Sequence, residues 1–185
     1  MDEATRDAVR ELVPEAGYAA LTMDAVAAKA RVGKAAIYRR YASRGELVFS
    51  VLVHGRRPQP LPDTGTLLGD LAGLAGVVLA VFSDPVVVAA TPGLLADLKQ
   101  QPEIAARFQE TFIAGEREQV VALLEQALER GELSALPDPV MVHAAVLGTV
   151  FAWVFLLAGP PGPALAPRIA SMVAAGIAEW VHDDR

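Results

Sequence analysis

Six cations fall between positions 29 and 44 (Lys29, Arg31, Lys34, Arg39, Arg40 and Arg44), and no Asp or Glu separates them. The chain as a whole carries a formal net charge of −6. A cationic block in an acidic chain is either a solvated helix face or a surface that meets polyanions, since clustered Lys and Arg neutralise phosphates. The imbalance is regional. Residues 1–57 hold ten Lys or Arg against seven Asp or Glu, and residues 58–185 hold six against fifteen. Such asymmetry suggests a nucleic-acid-facing part joined to a part that is not.

Catalytic chemistry finds little support. His54, His143 and His182 lie far apart, and neither HExxH nor another metal-ligand spacing occurs. G-x-S-x-G and phosphate-cradling glycine loops are absent too. With no cysteine, disulfides, thiolate zinc sites and cysteine nucleophiles are excluded. No enzymatic activity, cofactor or metal is expected. The opening MDEATRDAVRE is charged and periodic, without the apolar core of a secretory signal, so a cytoplasmic protein is expected.

The elements that would position the cations read as helices throughout. Hydrophobic residues make up 53% of the 185 positions, aromatics only 6%, and no run alternates with a strand's period of two. A first helix is predicted from about Glu3 to Val13, kinked or frayed at Pro14 and ended by Gly17. Thr22 is placed to cap a short helix, MDAVAAKA, with Asp24 in its first turn. A break at Arg31-Val32-Gly33 precedes a second short helix, KAAIYRRY, and Ser43 is placed to cap a fourth helix running to about Arg56. The Pro-rich RRPQPLPDTG marks a boundary, dividing the chain into 1–56 and 57–185. Beyond it, helices are predicted over Thr66–Ser83, Pro85–Gln100 (interrupted at Thr91-Pro92-Gly93), Pro102–Arg130, Pro139–Ala158 and Ala164–Val181. The fold class is all-α, with an N-terminal helix-turn-helix domain and a C-terminal helical domain.

Two short helices joined by a tight turn, the second one basic, form the helix-turn-helix pattern. Val26, Ala27, Val32, Ile37 and Tyr38 can form its small core. Gly33, Lys34, Ala35, Ala36 and Arg39 then occupy the outward N-terminal face, from which recognition helices read base edges. Small residues there let the backbone approach the groove floor. Lys34 can donate to a phosphate or to guanine, and Arg39, Arg40 and Arg44 suit phosphates. Tyr38 fits either of two roles, a core residue or a hydroxyl that reaches a phosphate.

The stretch GYAALTMDAVAAKARVGKAAIYRRYASRGELV resembles the DNA-binding domain of the TetR (tetracycline repressor) family. The family's Gly-aromatic pair, Thr, Ile/Val-Ala, Ala-Gly-Val, Leu/Ile-Tyr, following aromatic and Lys-x-Glu-Leu are matched here. They correspond to Gly17-Tyr18, Thr22, Val26-Ala27, Ala30-Arg31-Val32, Ile37-Tyr38, Tyr41 and Arg44-Gly45-Glu46-Leu47. The motif and the resemblance together make Thr22, Arg31, Gly33, Lys34, Ala35, Ala36, Tyr38, Arg39, Arg40, Tyr41 and Arg44 the candidate DNA contacts, Arg31 as an extra phosphate contact. Arg31 departs from the pattern, standing where the family places a turn glycine.

The same resemblance implies a repressor that senses a small molecule in its C-terminal domain. An apolar, aromatic lining of Phe82, Phe108, Phe112, Phe151, Trp153 and Phe155 is available, with Gln109, His143 and Thr149 as polar anchors. Core packing is the better explanation of any one of these residues; as a set they suggest a hydrophobic or aromatic effector. The apolar run Val140 to Gly159 reaches the length of a membrane span. No cluster of Lys or Arg flanks it, and the final helix offers a partner, so burial in a homodimer is expected rather than a membrane. In that helix Leu165, Ile169, Met172, Val173, Ile177 and Trp180 form one stripe, and Ala166, Ala170, Ala174 and Ala178 form another. The family's dimer interface is built from its last two helices. Double-stranded DNA with a palindromic operator independently favours a dimer, since paired helices read half-sites one helical turn apart. Two readings compete with this one: a soluble helical ligand-binding protein, and a small membrane protein, each with an incidental basic helix.

Overall fold

The computed structural model describes residues 3–54, 61, 63–160 and 162–183, and the side chains of 53–54, 111–112 and 180–183 are outside that description. Every described element is a helix: α1 (Glu3–Ala16), α2 (Met23–Ala30), α3 (Lys34–Arg40), α4 (Arg44–His54), α5 (Leu67–Phe82), α6 (Pro85–Gln100), α7 (Pro102–Phe108), α8 (Ala114–Glu129), α9 (Pro139–Phe151) and α10 (Leu165–Asp183). The chain packs as two compact units, one of residues 1–57 and 84–113, the other of residues 58–83 and 114–185. The first unit therefore includes α6 and α7, which lie beyond the Pro-rich boundary in sequence.

Local signals start and stop these helices. Thr22 accepts from Ala25 N–H at 3.1 Å, Thr66 from Gly69 N–H at 3.1 Å, and Asp138 from Val140 N–H at 2.8 Å. Each satisfies an amide that its helix leaves unpaired. Pro85, Pro102 and Pro139 open α6, α7 and α9, where the missing N–H costs nothing. Pro14 stays within α1, and Gly17 closes it at φ +80°, with its N–H on Val13 O at 3.0 Å.

Three expectations are corrected. The Thr91-Pro92-Gly93 stretch does not interrupt its helix; α6 runs unbroken to Gln100 with Pro92 inside it. The physical reason is tertiary, because Gly93 lies against the Tyr18 ring so closely that an added Cβ would meet Tyr18 Cδ1 at 2.2 Å. The segment from Pro102 to Arg130 is not one regular helix. A π-helical turn at Gln109–Ile113 separates α7 from α8, and the extra residue in that turn rotates the apolar stripe. Ile104 and Phe108 accordingly pack with the first unit, and Val120, Leu123, Leu124 and Ala127 with the second. A second π-helical turn, Ala152–Leu156, ends α9 early.

The first unit is organised around Val9 and Val13 of α1, Val26 and Ala27 of α2, Ile37 of α3, Leu47, Val48 and Val51 of α4, and Val86, Ala90 and Leu94 of α6. The second is a bundle in which α5 packs along α10 and α9, with Leu71, Leu74 and Val78 meeting Val142, Val146, Val150, Ile169, Val173 and Ile177. At one end of that bundle Asp70 is 1% exposed and Arg130 binds it at 2.8 Å, while Thr64 donates from both N–H and hydroxyl at 2.7 Å. Arg130 also reaches Glu132 at 2.7 Å and Asp63 at 3.1 Å. Burial opposes the Asp70 charge, but the Thr64 and Arg130 contacts outweigh it and hold the carboxyl below its ordinary range. The window Pro139–Leu156 is long and apolar enough to cross a membrane, at mean hydropathy 1.9, and the inward side of α9 is committed to this bundle.

Candidate nucleic-acid interface

Helix α2 ends in a left-handed residue, Arg31, at φ 56° and ψ 37°. Val32 N–H returns to Ala27 O at 3.0 Å and Arg31 N–H to Ala28 O at 3.2 Å, the paired bonds of a Schellman cap. The chain builds the same cap at Gly131, where Glu132 N–H reaches Ala127 O and Gly131 N–H reaches Leu128 O. Glycine makes the second cap without strain; Arg31 carries a Cβ into the left-handed region at a cost of about 1 kcal/mol. Val32 then folds inward against the core, and Gly33 begins α3.

Helix α3 is only seven residues long, and a single side chain, Ile37 at 3% exposure, anchors it. Lys34, Ala35, Ala36, Tyr38, Arg39 and Arg40 all face outward. Of the two roles open to Tyr38, the core one is excluded, since it is 54% exposed. One residue beyond Ile37 lies about 100° further round the helix, which turns its ring out of the core. Its place is taken by Tyr41, 5% exposed, whose N–H caps α3 on Ile37 O at 2.9 Å. The Tyr41 hydroxyl is buried with no hydrogen-bond partner among the described residues. Gly33 has extended backbone at φ −66°, and an added Cβ there would touch nothing within 4 Å. Packing within the chain therefore places no demand for glycine at this exposed position.

Charge on this face is partly organised by carboxylates. Asp24 Oδ2 accepts from Lys34 Nζ at 2.5 Å, and Oδ1 accepts from the Tyr38 hydroxyl at 3.3 Å. The Lys34 contact holds the Asp24 carboxyl below its usual range and the Lys34 ammonium above its own. Lys29 pairs with Glu11. Arg39 and Arg40 make no ion pair among the described residues, although Arg40 lies over the Tyr41 ring at 5.9 Å.

Ser43 caps α4 as expected, accepting from Glu46 N–H at 3.1 Å, and Glu46 reaches back to Ala42 N–H at 2.7 Å. That reciprocal pattern is a capping box displaced by one residue. Burial opposes the Glu46 charge, but Arg107 and the Ala42 amide hold its pKa below the ordinary value. Arg44 is drawn inward. It donates to Ala19 O at 2.9 Å, lies over the Tyr18 ring at 4.5 Å and approaches Asp97 at 3.7 Å. The Tyr18 hydroxyl donates to Asp97 as well, and burial together with that carboxylate pushes its pKa up. Asp97 and Glu46 have no periodic signal that marks these roles; only their partners reveal them.

The residues named for ligand binding are brought together only in part. In the second unit Phe82, Phe151 and Phe155 form an aromatic cluster with centroids 4.8–6.1 Å apart. In the first unit Phe108 meets Phe49 at 5.6 Å, and Gln109 is exposed. The Phe112 side chain lies outside the described residues. His143 is buried and its Nε2 is 3.2 Å from Glu116, a partner the sequence did not suggest. Thr149 donates to Ala145 O at 2.6 Å and Trp153 Nε1 to Pro160 O at 3.2 Å. Of the dimer stripe, Ile169, Val173 and Ile177 are buried in their own unit, Leu165 is half-buried, Met172 is 54% exposed, and the Trp180 side chain is outside the description.

The model of the bacterial regulatory proteins of the tetR family matches residues 6–51, which contain this interface. The model of the tetracyclin repressor-like C-terminal domain matches residues 61–173. The chain belongs to the TetR family. Among curated relatives, an uncharacterized HTH-type transcriptional regulator of Mycobacterium bovis is 34% identical over 125 residues, covering 67% of this chain and 61% of the relative. The match thus spans about three fifths of that relative's length. YdeS of Bacillus subtilis is 28% identical over 155 residues, covering 81% of this chain and 78% of its own. Among solved structures, the TetR-family regulator SCO0332 superposes with a TM-score of 0.70 at 23% identity, covering 95% of this chain and 99% of that one. FadR from Bacillus subtilis, in complex with stearoyl-CoA, superposes at 0.67 with 18% identity, covering 94% and 98%. These two share the TetR fold.

Proposed function

We propose that this chain is a dimeric transcriptional regulator that represses from a palindromic operator and is released by a small, largely hydrophobic effector. The observation that carries it is α3. A single inward residue, Ile37, anchors a short helix whose remaining face is small, basic and exposed. Such a face fits a major groove, with Lys34 available to base edges and Arg39 and Arg40 to phosphates. On this reading residues 1–56 form the DNA-binding module and residues 57–185 the ligand-binding and dimerisation module of a cytoplasmic protein.

The Phe82, Phe151 and Phe155 cluster supports an apolar or aromatic effector. FadR, of the same fold, was solved with an acyl-CoA. Dimerisation falls to the outward sides of α9 and α10, where Val140, Met141 and Met172 are about half exposed. A second copy would cover apolar surface that α9 otherwise presents to water. An effector acts by preferring the dimer state in which the two recognition helices are mis-spaced, and α4 leads from the basic motif toward the second module.

Selection of bound duplexes from a random pool, followed by sequencing, tests this. Enrichment of an inverted repeat is expected, with half-sites one helical turn apart. If no salt-sensitive duplex binding is found, the regulator reading fails.

A further inference from the structure

Asp24 lies on α2, yet its carboxylate touches two side chains of α3. Lys34 and Tyr38 stand four residues apart and so share a helix face. One carboxylate thereby holds two polar side chains of α3. The Asp24 and Lys34 side chains are 49% and 68% exposed. Ion pairs that open to water contribute little to folding. An exposed acid paired to the first cation of α3 is better explained by what that helix binds.

The geometry points to Asp24 as a specificity-determining residue of the DNA interface, one that positions Lys34 and Tyr38 and disfavours unrelated duplex. This assignment rests on the regulator reading above. An ammonium carries three N–H donors. With one on Asp24 Oδ2, two remain for the O6 and N7 acceptors of a guanine, and the nitrogen is already fixed in place. On unrelated DNA the attraction comes from phosphates instead. A Lys34 held on Asp24 is less free to follow them, and the carboxylate beside it repels the backbone charge. Arg39 and Arg40, which meet no carboxylate among the described residues, supply attraction in both settings.

The test compares wild type, Asp24→Asn, Asp24→Glu, Lys34→Ala and the Asp24→Asn/Lys34→Ala double variant. Each is titrated, over a salt series, with the duplex that wild type enriches from a random pool and with a scrambled duplex of equal length and composition. Asp24→Asn is expected to tighten binding to the scrambled duplex and to steepen its log–log salt slope by about one phosphate, roughly a 3-fold greater loss between 50 and 200 mM salt. The enriched duplex gains less, so the specificity ratio falls. Asp24→Glu restores the ratio, and in the Lys34→Ala background Asp24→Asn leaves it unchanged. Thermal unfolding of each variant verifies the fold. Equal tightening on both duplexes, or a ratio that moves as much without Lys34, overturns the assignment while leaving the regulator reading intact. If wild type itself shows no preference between the duplexes, both fall together.

Discussion

The Tyr18 hydroxyl donates to the Asp97 carboxylate across 79 positions of sequence, joining the turn after α1 to the last turn of α6. Arg44 completes the cluster by stacking on the same ring. The Gly-aromatic pair thus contributes a ring for Gly93 to pack on and a hydroxyl for α6 to hold. Tyr18→Phe keeps the ring and is expected to lower stability by about 1–2 kcal/mol, measured by urea unfolding. Because the folded-state pKa of Tyr18 is raised, its contribution is complete below the unfolded value of about 10 and is lost as pH rises beyond it. Wild type should lose stability more steeply than Tyr18→Phe in that alkaline range. Identical alkaline limbs would rule the hydroxyl out.

Asp70 gives the opposite pH sign. Its folded pKa is lowered, so its contribution is present above the unfolded value of about 3.9 and is lost as pH falls through the folded one. Asp70→Asn is expected to cost about 2 kcal/mol at neutral pH, since charged hydrogen bonds to Thr64 and Arg130 are weakened at a buried site. The variant's stability should also fall less between pH 5 and 3 than that of wild type. Parallel acid limbs would show that Asp70 carries no linkage.

At Arg31 the left-handed backbone makes a gain in stability the expected result. Arg31→Gly should stabilise the fold by up to about 1 kcal/mol, because glycine adopts this conformation without the Cβ penalty. If Arg31 also contacts a phosphate, the same substitution lowers the salt slope of duplex binding by about one. Differential scanning calorimetry and a salt titration read the two effects separately.

Ala35 tests the groove itself. It is exposed on α3, and leucine is nearly as good a helix former, so Ala35→Leu should change stability by only about 0.2–0.5 kcal/mol. Operator affinity should nevertheless fall at least about 10-fold, as the added side chain holds the helix off the base edges. Retained affinity in a folded Ala35→Leu protein would mean that another face of α3 meets DNA.

The helix ends around the interface were legible because their causes lie within a few residues. Thr22, Ser43 and Gly17 act on amides or carbonyls three or four positions away, so their types and spacing suffice. The rotation of α3 was not legible. Tyr38 and Tyr41 are chemically alike, and a seven-residue helix has too few turns for its periodicity to distinguish the inward one.

By itself, then, the sequence determined the all-helical class, the two-helix basic motif and its caps, which rest on local hydrogen bonding and periodicity, and its motif residues carried the family resemblance. Only the tertiary structure decided which tyrosine faces outward, that Pro92 stays inside a helix, where π-helical turns rotate a continuous apolar pattern, and which carboxylate meets Tyr18, Arg130 or His143. Those outcomes depend on groups up to 79 positions apart competing for the same space and charge, and no local pattern records the winner.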